Sequence, residues 1–404
     1  MTRSITLTLV LLLLLLGPTS SETVSPVVQD LINRNADFAT QLYRAVASRT
    51  DNNVLLSPFT LSAGLLALLS ATSGATQDQL LQGLTLTGVD PMALPDLFQT
   101  LRTMVLQGEG TVTMRQSVNL LPSTNFQVSP SYQDLVQKLG GSVRHLAYSV
   151  PQEAVDNINR LVQEQTRDQI QELVTTVDSQ TQLLLATATS YKTRFSPSFN
   201  SSLSQDERFY VDRYHVVMVP MMFRSDKYFL AYDRSLKVGV LKLSMADGTA
   251  MLVVLPDEGV DITAVEEEVT AGRIQAWIKQ LKKRKTIFSF TRLKLEVQLP
   301  RFILEHLYSL KDVLQILGIR QVFQDDADMT NMGSTNGPKV TQVFHKSVVS
   351  VDERSDDITA GGGAAMFSTL PPRLTINRPF LFIIYQQTSS SLLLMGRVID
   401  PTLK

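Results

Sequence analysis

Seven short runs rich in β-branched, leucine and aromatic residues crowd the second half of the chain, at 216–220, 238–243, 251–255, 294–302, 340–351, 381–385 and 392–398. Such side chains fit the pleated, half-buried surface of a sheet, and runs of this length bounded by turn residues predict strands. The first half has a different rhythm. Residues 36–48 place Phe38, Leu42 and Val46 near the helical period, residues 58–73 are dense in Leu and Ala behind Ser57-Pro58, and 158–173 repeat an amphipathic pattern. Helices first, then many strands with interspersed helices, predict an α+β chain around large, mainly antiparallel sheets. The cluster Gly361-Gly362-Gly363 lies among polar and small residues, not between a strand and a helix, so it gives no support for a Rossmann or P-loop phosphate site.

Composition removes several functions and names none. The 404 residues carry a formal charge of −1, which argues against a nucleic-acid binder relying on bulk positive charge. The absence of cysteine excludes disulfides, thiolate metal sites and cysteine nucleophiles. Four histidines, His145, His215, His306 and His345, lie far apart, so no multi-histidine metal centre is expected, and nothing in the sequence calls for a cofactor. At the amino terminus Arg3 precedes an apolar run at 5–16 and then Gly17-Pro18-Thr19-Ser20-Ser21. That run falls well short of the roughly 20 residues a membrane span needs, and its flanks match a cleaved secretory signal at 1–20. Export is therefore expected, with no membrane anchor and Asn200-Ser201-Ser202 as a glycosylation sequon.

Several fragments, in order, resemble the serpin superfamily from about residue 35 to the end. They are Asn53-Val54-Leu55-Leu56-Ser57-Pro58; Phe209 to Asp212 with Val219-Pro220-Met221-Met222; Met251 to Gly259 (MLVVLPDEG); and Leu299-Pro300-Arg301-Phe302 with Leu317-Gly318-Ile319 and Phe323. His345-Lys346 with Val351-Asp352-Glu353, Asn377-Arg378-Pro379-Phe380, and Met395-Gly396-Arg397-Val398 with Pro401 complete the set. Residues 243–259 and 370–401 most resemble the secreted plasma subgroup, antitrypsin-like and protein Z-dependent protease inhibitor-like. The resemblance implies about nine helices packed around three mainly antiparallel sheets, in one domain over 21–404, with an exposed reactive loop at about 354–376.

It also implies a mechanism. The loop is offered to a serine protease as substrate, and after cleavage it inserts into the main sheet, carrying the acylated protease. The protein is then a serine-type endopeptidase inhibitor and needs no catalytic triad of its own; no G-x-S-x-G motif accompanies the histidines. Residues 360–366 (AGGGAAM) are small enough to slide between strands, although a flexible linker would use the same residues. Counting from Glu353 puts the scissile bond after Thr369, before Leu370; counting back from Asn377 and the Pro371-Pro372 pair gives Ser368, and Phe367 suits a chymotrypsin-like pocket. None is Arg or Lys, so an elastase- or chymotrypsin-like target is favoured over a trypsin-like one. Arg373, beyond the prolines, is a poor candidate.

The hinge departs from the family. Ser355-Asp356-Asp357-Ile358 follows Glu353-Arg354 where small residues are usual, and burying an unpaired Asp356 carboxylate costs several kcal/mol or forces its protonation, unless insertion starts at Thr359. Thr187 and Phe195 stand where the family has Asn and Trp. Ser57, Thr60 and His345 match the family's shutter, with a satisfied polar core cluster as the plainer alternative. Lys279, Lys282, Lys283, Arg284 and Lys285 form one basic cluster at a helix end, which either complements the helix dipole or binds heparin-like glycosaminoglycan. Two functional readings follow: a secreted monomeric protease inhibitor, or a non-inhibitory serpin (a hormone or ligand carrier, or a cleavable precursor) favoured by the acidic hinge.

Overall fold

Ser25 and Pro26 start the first helix among the described residues ten residues before the apolar period predicts. The Ser25 hydroxyl accepts the Val28 N–H at 3.4 Å, and Pro26 sits where its missing N–H has no intrahelical partner to lose. The computed structural model describes residues 24–106, 113–192, 194–282, 293–333, 337–353 and 371–404. The expected signal at 1–20, the loop residues Ser355, Asp356, Asp357, Thr359, Phe367, Ser368, Thr369 and Leu370, and Lys283, Arg284 and Lys285 lie outside them.

Nine α-helices occur among the described residues: α1 Pro26–Ala47, α2 Pro58–Ala71, α3 Gly74–Gly83, α4 Leu94–Leu106, α5 Pro130–Lys138, α6 Pro151–Thr166, α7 Ile262–Glu268, α8 Ala271–Lys282 and α9 Lys311–Ile316. The strands are β1 Val54–Leu56, β2 Arg115–Pro122, β3 Ser142–Val143, β4 Leu183–Lys192, β5 Asn200–Tyr210, β6 Val216–Asp233, β7 Val238–Ser244, β8 Thr249–Pro256, β9 Leu293–Pro300, β10 Phe302–Ser309, β11 Val340–Val351, β12 Arg373–Thr375, β13 Phe380–Gln386 and β14 Leu392–Val398.

They make three sheets. One has the order β10-β11-β4-β2-β3. A second runs β1-β14-β13-β8-β7-β6, and the long β6 continues into a third with β5, β9 and β12, pairing with β7 over 229–233 and with β9 over 221–228. Pairing is antiparallel except at β11–β4, β2–β3 and β12–β9. The fold is thus α+β with three mainly antiparallel sheets, as expected.

Two boundaries differ from expectation for local reasons. The helix expected to reach 173 stops at Thr166, because Arg167 and Asp168 adopt left-handed φ of 53° and 62°. The chain then folds back: the Thr166 hydroxyl accepts the Ile170 N–H at 3.2 Å, and Asn159 Oδ1 accepts the N–H groups of Leu173 and Val174. The single strand expected over 294–302 is two strands divided at Arg301: its N–H makes a last bond to β6, to the Pro220 carbonyl at 2.9 Å, and from Phe302 the chain pairs with β11 instead.

Alternation along β4 positions the site. Leu184, Ala186 and Ala188 face α6 and share a buried cluster with Leu121, Ile158 and Val162, while Phe344 and Val348 of β11 pack on its margin. Thr187 and Leu185 face the opposite way, against α2. There a Cβ on Gly64 would lie 2.9 Å from Leu185 Cδ1 and 3.0 Å from Thr187 Cγ2, so a glycine allows the helix to approach the strand. α6 therefore covers one face of the β2–β4–β11 region and α2 the other.

Candidate functional site

The site grows from the parallel junction of β4 and β11, which are in register from Gln342↔Leu184 to Ser350↔Lys192. Beneath its middle lies a buried polar cluster. Ser57 caps α2, its Oγ accepting the Thr60 N–H at 3.4 Å; that oxygen is also 3.0 Å from Thr60 Oγ1 and 3.0 Å from the Leu393 carbonyl oxygen. Thr60 Oγ1 accepts from Thr189 Oγ1 at 2.6 Å and from Gln116 Nε2 at 2.8 Å. With one proton per hydroxyl, a single assignment satisfies the group: Thr189 donates to Thr60, Thr60 to Ser57, and Ser57 to the carbonyl.

His345 closes the cluster. Its Nε2 accepts the Ser57 N–H at 3.0 Å and lies 2.9 Å from Ser347 Oγ. Nε2 is therefore unprotonated, and Nδ1–H donates to Thr187 Oγ1 at 2.8 Å, which donates to the Phe344 carbonyl at 3.1 Å. Full burial pushes the His345 pKa down to about 3, so the ring is neutral at physiological pH. Thr187 thus completes the imidazole's bonding. Ser57, Thr60 and His345 come together in one place. Gln116 and Thr189 belong with them, and no motif in the sequence points to either; only the strand pairing brings them in.

At the end of β11 the Glu353 carboxylate meets the Arg301 guanidinium through both oxygens, with Arg301 Nε at 3.0 Å from Oε2 and Nη2 on Oε1. The Glu353 side chain is 4% exposed and that of Arg301 44%. Burial alone would raise the carboxyl's pKa, but hydrogen bonding and attraction from Arg301 outweigh it and hold the group below its ordinary range. Glu353, last described residue before the 354–370 segment, is thereby anchored to the break between β9 and β10. On the far side Arg373 Nε and Nη2 donate to Glu296 Oε2 at 3.1 and 3.0 Å as β12 pairs with β9. Both flanks of the segment are fixed.

The remaining expected residues lie apart. Phe195 is buried, edge-on to Phe199 at 5.0 Å, and bridges to Met245. Asn200 is exposed at the start of β5, its side-chain oxygen accepting from Ser202 N and Oγ. On α8, Lys279 is exposed, whereas the Lys282 ammonium donates to Ser390 Oγ at 2.7 Å, and burial lowers its pKa. Among the described residues no group of three His, Asp or Glu side chains could hold a metal, and no helix is long and apolar enough to cross a membrane.

The family model described as "Serpin (serine protease inhibitor)" matches residues 33–401. The chain is 29% identical over 381 residues to the protein Z-dependent protease inhibitor of Mus musculus, covering 93% of this chain and 83% of that one. It is 30% identical over 380 residues to alpha-1-antiproteinase 2 of Equus caballus, covering 91% and 86%. The crystal structure of mouse protein Z-dependent protease inhibitor superposes with a TM-score of 0.84 at 28% identity, over 93% of this chain and 98% of that one.

Proposed function

This chain belongs to the serpin family, and from that premise we propose that it is a secreted suicide-substrate inhibitor of a serine protease, using residues 354–370 as its reactive loop. The observation that carries the reading is the parallel β4–β11 junction in a sheet whose neighbouring long pairs are antiparallel. A segment leaving the end of β11 at Glu353 and turning back runs antiparallel to β11 and, because β4 parallels β11, antiparallel to β4 as well. Inserted between them, it replaces one parallel ladder by two antiparallel ones, the slightly stronger pairing. The small residues at 360–366 offer little bulk to resist that movement.

The absence of Arg and Lys from 367–370 favours an elastase- or chymotrypsin-like protease over a trypsin-like one. The leader at 1–20 and the exposed Asn200 support secretion and glycosylation. Lys279 and the following cations at 282–285 support a weak glycosaminoglycan site. The test is incubation with elastase, chymotrypsin and trypsin followed by denaturing electrophoresis. A protease–serpin complex that survives SDS is expected with one of the first two; cleaved chain without complex from all three overturns inhibition.

Asp356 and Asp357 favour a second reading, a serpin that is cleaved without trapping its protease. Insertion must outrun hydrolysis of the acyl-enzyme, and desolvating two carboxylates slows it. Under this reading Asp356→Thr with Asp357→Ala converts a substrate into a complex-forming inhibitor; unchanged partitioning rejects the hinge acids as the cause.

A further inference from the structure

The buried stripe of α6 ends on the wrong kind of residue. Ile158, Val162 and residue 165 recur at helical spacing, and the first two bury themselves among Leu121, Leu184, Ala186 and Ala188. An apolar side chain would complete that stripe, yet position 165 is glutamine. Opposite it, β2 turns Ser117, Asn119 and Leu121 to one side by alternation, and both polar residues among them are buried. We infer that Gln165 is a positioning residue of the inhibitory movement: it fixes α6 on β2, so that the helix leaves with β2 and β4 when β4 separates from β11. The inference rests on the inhibitor reading.

The bonds around Gln165 form a closed set. Asn119 Nδ2 donates to Gln165 Oε1 at 3.0 Å, and Gln165 Nε2 donates to Asn119 Oδ1 at 3.1 Å, a reciprocal amide pair. Ser117 Oγ donates to the same Gln165 oxygen at 2.6 Å and accepts from Asn119 Nδ2 at 2.8 Å. Ser142 Oγ of β3 donates to Asn119 Oδ1 at 2.6 Å. A satisfied buried network of this kind rigidifies its surroundings and specifies one arrangement. Apolar burial holds α6 against the sheet without direction, whereas these bonds set its place along β2.

This anchor lies on one side of the β4–β11 junction. β2 pairs with β4 along its whole length, from Arg115↔Ser190 to Pro122↔Leu183, so β3, β2 and β4 hold Gln165 as one unit. Other contacts of α6 and the chain after it reach both sides. Ala186 and Ala188 of β4 lie within its buried cluster, while Phe344 and Val348 of β11 are half-buried at the margin. Beyond the helix, Lys346 Nζ of β11 donates to the Glu172 carbonyl at 2.6 Å and pairs with Glu305 of β10 at 2.6 Å. As β4 and β11 part, α6 has to give up one set of contacts. The amide pair decides in favour of β2 and β4, which clears the gap for the entering segment. Without it the helix is shared between both sides, and the junction opens more slowly. Insertion competes with hydrolysis of the acyl-enzyme, so slower opening yields more cleaved chain and less complex.

Two measurements test the inference. Hydrogen exchange on the intact protein reads the anchor, and the ratio of cleaved chain to SDS-stable complex with elastase or chymotrypsin reads its consequence. In Gln165→Ala, exchange across residues 158–166 is expected to quicken by about three- to tenfold, and the cleaved-to-complex ratio to rise by about the same factor. Gln165 is half-buried and Asn119 keeps Ser117 and Ser142 as partners, so this variant is expected to fold. Gln165→Glu retains an oxygen for Ser117 and Asn119 and is expected to fall between Gln165→Ala and wild type. Tyr43→Phe controls for stability alone, since it removes a buried hydrogen bond to Glu266 between α1 and α7; it is expected to lower the melting temperature and leave the ratio unchanged. Unchanged exchange in α6, a ratio that stays level or falls in Gln165→Ala, or an equal rise in Tyr43→Phe overturns the inference. Wild type that forms no complex refutes the inhibitor reading itself and the role in inhibition with it. That failure is distinguishable, because exchange in the intact protein needs no protease and still reports whether Gln165 fixes α6.

Discussion

Thr60 is the keystone of the buried cluster, and replacing it by Val isolates the worth of its hydroxyl while nearly preserving shape. In Thr60→Val the Thr189 hydroxyl, fully buried, loses its acceptor at 2.6 Å. Such an orphaned donor costs about 1–3 kcal/mol. Ser57 loses one hydrogen bond, worth about 1 kcal/mol, but keeps the Leu393 carbonyl as its own acceptor. Gln116 is half-buried and can turn to water. The single variant should therefore be destabilised by about 2–4 kcal/mol. Thr189→Val alone should cost about 1 kcal/mol, because Thr60 keeps Gln116 and Ser57 as partners. In the double variant no orphaned donor remains, so the total should fall short of the sum by about 1–2 kcal/mol. Guanidinium denaturation followed by circular dichroism, with unchanged m-values, measures all three. Strict additivity would refute the proton assignment that runs from Thr189 through Thr60 to Ser57.

Three further outcomes follow from the same geometry. His345 has a folded pKa of about 3 against an ordinary value of about 6.5, so below the latter the unfolded chain takes up a proton the native protein refuses. Stability is then complete above that value and declines as pH falls toward 3; in His345→Asn the slope between pH 6 and 4 should be shallower by about 1.4 kcal/mol per unit, and an unchanged slope contradicts a neutral native imidazole. Glu353→Gln should cost about 1–3 kcal/mol at neutral pH by weakening the Arg301 pair. Because the native carboxyl's pKa is lowered, wild type's advantage is present above the ordinary glutamate range and vanishes as pH falls through the native pKa; melting temperatures of both proteins across acid pH read this, and a gap that persists there is the contrary result. On heparin-Sepharose, Lys279→Gln should lower the eluting salt more than Lys282→Gln, since Lys282 is already engaged with Ser390; elution indifferent to these and to neutralising Lys283, Arg284 and Lys285 rejects the glycosaminoglycan site.

Sequence patterning revealed the class of fold well where burial is one-sided or complete: β11, β14 and α2 lie close to where composition puts them. It failed where tertiary bonds replace local signals. β4 (Leu183–Lys192) is half alanine, threonine and serine, an indifferent strand by propensity, yet that composition lets α6 and α2 approach its two faces. The motif residues carried different kinds of information. Asn53, read only as part of a signature, donates to the carbonyls of Asp400 and Leu403 and accepts from Ile399 and Asp400, tying the segment before β1 to residues 399–403. Arg397, likewise part of a signature, is buried against Glu266 at 2.6 Å, and Tyr43 donates to the same carboxylate. Neither partner has a sequence mark, because each is brought in from far along the chain.

Under the proposed inhibitor mechanism, the 354–370 segment enters the sheet at the β4–β11 junction. The most direct measurement is to cleave that segment with elastase or chymotrypsin, remove the protease, and compare thermal unfolding of cleaved and intact protein. If the freed strand joins the sheet, it adds two antiparallel ladders, and the cleaved protein should melt at a distinctly higher temperature, with amides of β4 and β11 more slowly exchanging. An equal or lower melting temperature, with exchange at β4 and β11 unchanged, would contradict insertion at this junction.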